Sequence, residues 1–125
     1  TQEYNSALRH FDAQNYQVAI NKLTELYNKY PNHSLVGNFV YWIGESYFGL
    51  KNYSEAIKQF EKIKNYSNSS KRDDAMLMAG ISYMKLGDYV EAKQRFEVLI
   101  QQFPDSEYKE KTTRYLQTIQ TRIIS

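Results

Sequence analysis

Residues 52–60 read NYSEAIKQF, and the chain repeats the phrase as NYQVAINKL at 15–23 and DYVEAKQRF at 88–96. In each copy an Asn/Asp–Tyr pair is followed, three residues after the Tyr, by an alanine, and four later by a large apolar residue. The alanines, Ala19, Ala56 and Ala92, fall 37 and 36 residues apart. Self-similarity at that period marks a repeat array, whose units bury their apolar faces only against one another. Such arrays work through extended surfaces, so binding is a better first expectation than catalysis.

The punctuation around the phrases is helical. Pro31 and Pro104 each stand twelve residues beyond a repeat alanine, and a proline there closes a helix. The matching place in the middle copy is Asn68, inside Asn65-Tyr66-Ser67-Asn68-Ser69-Ser70. That polar stretch stops a helix by turn chemistry and is expected to be the most mobile connection. Asn52-x-x-Glu55 and Asp88-x-x-Glu91 carry a capping oxygen and a third-position carboxylate, and Ser70-x-x-Asp73 is a weaker relative. Seven helices are predicted, near 2–13, 16–30, 35–50, 53–65, 71–86, 89–103 and 106–123. Ile57, Phe60 and Ile63, and Val90, Phe96, Leu99 and Ile100, follow helical spacing, and no strand-like alternation survives beyond a few residues. The fold class is all-α. The last helix sets Tyr108, Tyr115, Leu116 and Ile119 against Glu107, Lys109, Glu110, Lys111, Arg114 and Arg122, the two-faced character that a terminal cap requires.

Composition narrows the function. The chain has 125 residues, 42% hydrophobic and 24% charged, the balance of one folded domain. Net charge is +2, and the densest basic stretch, Lys58 to Arg72, contains Glu61 and runs into Asp73-Asp74. This is a solvated mixed face and not a nucleic-acid stripe. The absence of cysteine excludes disulfides, thiol catalysis and Cys-ligated zinc within these residues and leaves the compartment open. No apolar run approaches the roughly 18 residues of a membrane span. The chain opens on Thr1 without a leader and reads as a processed product or a fragment. Twelve tyrosines, six phenylalanines and one tryptophan supply amphipathic surface for packing or for a binding groove.

These residues resemble the tetratricopeptide (TPR) pattern, W-x-x-L-G-x-x-Y, then A-x-x-x-F, then P. The middle copy reads Val40-x-x-Ile43-Gly44-x-x-Tyr47, then Ala56 and Phe60; the third reads Met76-x-x-Ala79-Gly80-x-x-Tyr83, then Ala92, Phe96 and Pro104. The first is looser, with Ser6-Ala7-x-x-His10, then Ala19, Leu23 and Pro31. The resemblance implies a right-handed superhelix of three helix-turn-helix repeats, about 1–34, 35–70 and 71–105, in a single domain 1–125, with 106–123 as a capping helix. Ala7, Gly44 and Gly80 would let paired helices approach, answered by Ala19, Ala56 and Ala92.

A narrower resemblance rests on Tyr30-Pro31-x-x-Ser34, Tyr41-Trp42-Ile43-Gly44-Glu45-Ser46-Tyr47, Asp73-Asp74-Ala75-Met76, Gly80-Ile81-Ser82-Tyr83 and Phe103-Pro104-Asp105-Ser106. These stretches look like the C-terminal domain of the Tol–Pal-associated periplasmic family, also called the cell division coordinator. That likeness implies a periplasmic location, with a cytoplasmic one left open, and contact with TolA. It also implies coordination of septal peptidoglycan synthesis with outer-membrane constriction. Asn68 in place of a proline departs from the pattern, and the family's trimerising coiled coil is not in these residues. Outer-membrane protein assembly lipoproteins share Tyr-Pro-x-x-Ser repeats and are the alternative, beside cytosolic TPR adaptors or chaperones and a self-associating oligomerisation domain.

In a TPR array the first helices of the hairpins line the concave face. Counted from the repeat alanines, the groove positions are Tyr4, Leu8 and Phe11; Asn38, Tyr41, Glu45 and Phe48; and Asp74, Leu77, Ile81 and Met84. A carboxylate clamp for chaperone tails needs Lys, Asn and Arg, whereas Tyr4, Leu8, Trp42, Asp74 and Met78 stand there. A protein segment with apolar side chains fits better. Leu8 and Ile81 have a second reading as packing residues. No cofactor, metal or nucleic acid is implied: His10 takes a packing position, His33 reads as solvated, and neither has a partner at metal-ligand spacing. Asp73-Asp74 read as first-turn acids stabilised by the helix dipole, and no catalytic constellation is visible.

Overall fold

The computed structural model describes residues 1–124; the expected domain runs on to Ser125, outside the described residues. Seven α-helices follow in order: α1 (Gln2–Asp12), α2 (Tyr16–Lys29), α3 (Val36–Gly49), α4 (Tyr53–Lys62), α5 (Arg72–Lys85), α6 (Tyr89–Gln102) and α7 (Lys109–Ile124). No strand occurs among the described residues. Each helix packs on the next, and the first helices of successive hairpins also touch, α1 on α3 and α3 on α5. The core falls into three clusters, each closed by the helix that opens the following unit. Leu23 and Leu26 meet Phe39 and Ile43; Phe60 and Ile63 meet Ala75 and Ala79; Phe96 and Leu99 meet Ile119. No hairpin could bury its apolar side alone, which is the condition that defines a solenoid. Burial of each large side chain contributes about 1.5–3 kcal/mol.

Close approach within the hairpins depends on the small residues. Ala7, Ala19, Ala56 and Ala92 are fully buried. A Cβ at Gly44 would lie 2.6 Å from Phe60 Cε1, and one at Gly80 would lie 2.4 Å from Phe96 Cε1. Phe96 is braced by Tyr115 of the capping helix, whose ring stacks on it at 5.2 Å and 5°.

Three equivalent turns join the helices of each hairpin, and their left-handed residues are Gln14 (φ 64°), Lys51 (φ 61°) and Gly87 (φ 78°). In each turn the next residue's N–H reaches back over the helix end: Asn15 to the His10 carbonyl, Asn52 to Tyr47, Asp88 to Tyr83. Those bonds satisfy helix-terminal acceptors in a Schellman-type closure. They also use the amides that a full capping box would offer to its glutamates. Asn52 Oδ1 accepts from the Glu55 N–H and Asp88 Oδ1 from the Glu91 N–H, as predicted, but the carboxylates turn elsewhere. Glu55 pairs with Lys58 at 3.0 Å and Glu91 with Arg95 at 3.1 Å.

The middle unit corrects the register read from the sequence. Tyr30, Tyr66 and Phe103 cap their second helices with the same geometry, and each carbonyl accepts from the residue three further on: His33, Ser69 and Ser106. Tyr66 stands ten residues past Ala56, whereas Tyr30 and Phe103 stand eleven past theirs. The counterpart of Pro31 and Pro104 is therefore Ser67, not Asn68. A 3₁₀ turn over Ile63–Asn65 ends α4 and absorbs the missing residue, because its tighter winding advances further per residue.

The predicted Ser70 box does not form: Lys71 is the N-cap of α5 without a side-chain cap bond, while Ser69 Oγ accepts from the Lys71 N–H at 3.1 Å. The same bond recurs from Leu35 N–H to His33 Nδ1 at 3.0 Å and from Tyr108 N–H to Ser106 Oγ at 3.1 Å. His33 is thus a half-buried turn acceptor, its ring near Tyr30 and Phe39, and not a solvated side chain. This third turn also delays α7 to Lys109, three residues later than expected.

Two stability measurements check these points. Lys51→Gly relieves a left-handed strain of about 1–2 kcal/mol per non-glycine residue, partly offset by unfolded-chain entropy, for a net gain of about 0.5–1 kcal/mol in denaturant unfolding. Gly80→Ala forces a methyl group into the Phe96 ring and is expected to cost about 2–3 kcal/mol in the same assay.

A candidate binding face on the first helices

The face shared by α1, α3 and α5 carries nine of the eleven predicted groove residues partly open. Tyr4, Leu8, Phe11, Asn38, Glu45, Phe48, Asp74, Ile81 and Met84 are half-buried. Tyr41 is only 7% exposed, edge-on to Trp42 at 5.1 Å and tilted against Phe60 at 5.8 Å. Leu77 is buried too: at 3% exposure it belongs to the core with Phe96, Leu99 and Ile119. The repeat register places it on the face, but it packs inward among residues of α6 and α7.

Aromatic rings gather at the α1–α3 end in two groups. Phe11 meets Trp42 at 5.0 Å and Tyr16 at 5.5 Å, and Phe48 meets Tyr53 at 5.2 Å, all edge-on. Edge-to-face contacts of this kind hold rings rigid while leaving parts of their surfaces uncovered.

Polar chemistry concentrates where α3, α5 and the start of α7 converge. Lys71 extends its ammonium over Tyr41 and Trp42, 5.2 and 5.5 Å from the ring centroids. Tyr108 donates its hydroxyl proton to Asp74 Oδ1 at 2.6 Å, and Ser106 donates to Asp73 Oδ2 at 2.7 Å. The two aspartates therefore act as acceptors for the segment entering α7, beyond the helix-dipole role predicted for them. Glu45 Oε1 is buried with no hydrogen-bond partner. Burial, reinforced by the nearby Asp74 charge, pushes the Glu45 carboxyl from its ordinary 4.5 up to about 7, although Lys71 opposes the shift. Burial also raises Asp74, against the Tyr108 hydrogen bond, and raises Tyr41. Tyr108 is raised first by its bond to Asp74.

A separate recess of about 340 Å³ lies between α4, α5 and α6, floored by Phe60, Ile63, Ala75 and Ala79. One of its cations is paired, Arg95, whose Nε bonds Glu61 Oε1 at 2.7 Å and whose Nη1 bonds Glu91 Oε2 at 3.1 Å, while Arg72 Nε is buried without a hydrogen-bond partner. It is a seam between repeats, stitched by an inter-repeat ion pair. Among the described residues, no His, Asp and Glu cluster could hold a metal ion, and no helix is long and apolar enough to cross a membrane.

The model of a family described as YfiO, outer membrane lipoprotein, matches residues 1–124. The chain belongs to this family. Comparison with curated proteins finds no match. Solved structures match the fold closely at low identity. The first TPR of Spaghetti (RPAP3), bound to the HSP90 peptide SRMEEVD, has a TM-score of 0.79 at 19% identity, over 98% of this chain and 91% of that one. The second TPR domain of human RPAP3, in complex with the HSP70 peptide SGPTIEEVD, gives 0.76 at 22%, over 94% and 92%. The type III secretion translocator chaperone SycD of Yersinia enterocolitica gives 0.82 at 19%, over 99% and 85%. Together they identify the fold as a TPR array, in agreement with the repeat reading.

Sequence reasoning missed Lys71 and Tyr108 as members of this face. Both sit one position before a first helix, ahead of the register counted from the alanines. The one available signal was the repeated His33-x-Leu35, Ser69-x-Lys71 and Ser106-x-Tyr108 spacing after each cap.

The raised Glu45 carboxyl gives a pH prediction. Between about pH 4.5 and about pH 7 the folded chain holds this proton more tightly than the unfolded chain, so stability declines as pH rises through that window. Glu45→Gln has no proton to lose there. Its melting temperature should fall less across the window than that of the wild type; an identical slope would show that Glu45 titrates normally.

Proposed function

We propose that the chain is a non-catalytic protein-interaction module of the bacterial cell envelope that takes a partner segment along the face of α1, α3 and α5. The observation that carries this reading is the half-buried, ring-rich strip on consecutive first helices, from Leu8 and Phe11 through Trp42 and Phe48 to Ile81 and Met84. An apolar surface rimmed by polar groups is a common signature of an interaction site. Membership of an outer membrane lipoprotein family supports an envelope setting on the periplasmic side. The peptide complexes of the RPAP3 domains support the mode of binding.

The face differs in charge from what an acidic chaperone tail requires. Glu45 and Asp74 occupy it, so a peptide such as SRMEEVD would meet like charge. Service in outer-membrane protein assembly is the role most in keeping with the family. The Tol–Pal reading, with a TolA-like partner and a part in division and outer-membrane constriction, is the second; the Tyr41–Tyr47 and Phe103–Ser106 stretches favour it. Self-association through the same face is the remaining alternative.

Photo-crosslinking in the native cell tests the face directly. A crosslinking amino acid at Leu8, Phe48 or Ile81 should give discrete adducts with a second protein, and one at Val18 or Val90 on the second helices should not. Adducts of the chain with itself would select the self-associating alternative. Equal labelling from both sets of positions would refute the assignment.

A further inference from the structure

We infer that the occupant of this face is a segment in which apolar side chains flank one lysine or arginine, and that this basic side chain seats between Glu45 and Asp74, over the rings of Tyr41 and Trp42. The inference rests on reading the face as a docking surface and adds the chemistry of what docks there.

A cation already occupies part of the site. The Lys71 ammonium stands over both rings, the geometry of a cation–π contact. Among the described residues it forms no ion pair with either carboxylate. The ring faces are engaged while acceptor capacity is left over. Glu45 Oε1 is buried without a donor. Asp74 commits Oδ1 to the Tyr108 hydroxyl, and its Oδ2 makes no hydrogen bond among the described residues. Two carboxylates therefore face one ammonium that bonds neither of them.

An incoming basic side chain completes this arrangement. A guanidinium stacks flat on aromatic rings while its edge donates to carboxylate oxygens, and an ammonium supplies several donors from one point. Either would displace Lys71, which rides on the flexible end of a long side chain at the N-cap of α5. Lys71 acts as an internal stand-in for the partner's base and competes with it. A purely apolar segment would leave Glu45 Oε1 without a donor, and an acidic one would add repulsion. Only a base answers both the rings and the acids.

The test is selection of phage-displayed random heptapeptides on the wild-type chain, followed by fluorescence anisotropy with the selected peptides. Apolar peptides enriched about fivefold or more in lysine or arginine at one position are expected. Replacing that residue by uncharged citrulline or norleucine should weaken binding about tenfold or more. Glu45→Gln with Asp74→Asn should do the same, and Lys71→Ala should tighten binding about threefold by removing the competitor. The peptide substitutions read the wild-type chain, so the result stands even where a protein variant melts early. Selected peptides that lack a basic residue, or that carry an acidic one, yet lose binding with Ile81→Glu, overturn this inference and leave the docking face intact. Selected peptides indifferent to Ile81→Glu, or no selected peptide at all, overturn both.

Discussion

Two glycine–phenyl contacts set the geometry on which the rest of this molecule depends. Phe60 and Phe96 place their rings in the volumes that Cβ atoms at Gly44 and Gly80 would occupy. The second and third hairpins therefore close to a distance no larger residue would allow. The first hairpin reaches the same end by a different division of volume, with a methyl at Ala7 and an aliphatic Leu23, both fully buried. Because the hairpins close alike, their first helices lie side by side and each core cluster finds its lid in the next unit. The series ends at α7, where Tyr115 stacks on Phe96 and Ile119 fills the last gap.

Regular stacking tolerates irregular sequence when the backbone can redistribute length. The middle unit is one residue short before its cap, and the 3₁₀ turn at Ile63–Asn65 restores the phase. Tyr66 consequently reaches Tyr27, their hydroxyls 3.4 Å apart, and burial raises the Tyr66 hydroxyl to about 12. The turn that follows keeps its neighbours' bond to the cap carbonyl and their side-chain acceptor without a proline. Backbone acceptors and one short side chain suffice to define it.

Those junctions also contribute to the candidate face. In each, an acceptor side chain fixes the N–H two residues on, and the residue so positioned lies against the preceding units: Leu35 at the first, Lys71 at the second, Tyr108 at the third. One backbone device thus delivers an aliphatic group, a cation and a phenol along the array. The cation and the phenol converge on Tyr41, Glu45 and Asp74, where partial burial strengthens every charge interaction. On the proposed reading the aromatic rings would supply area and this polar cluster selectivity, a division of labour common to protein-recognition surfaces.

Much of this was legible in the residues. Periodic alanines, closing prolines and capping pairs depend on local geometry, so the seven helices and the repeat fold followed from spacing alone. Nine of the groove positions lie half-buried on the first helices, because a helix face is a matter of counting. Tertiary structure alone decided the remainder. Leu77 was lost to the core shared with α6 and α7, and Tyr41 sank between Phe60 and Trp42. Asp73 and Asp74 were claimed by Ser106 and Tyr108, more than thirty residues away, and Glu45 was left without a donor by the way three helices converge. None of these outcomes has a local cause. Sequence determines which faces exist, but which groups on a face stay open, paired or desolvated is settled only when distant segments compete for the same space.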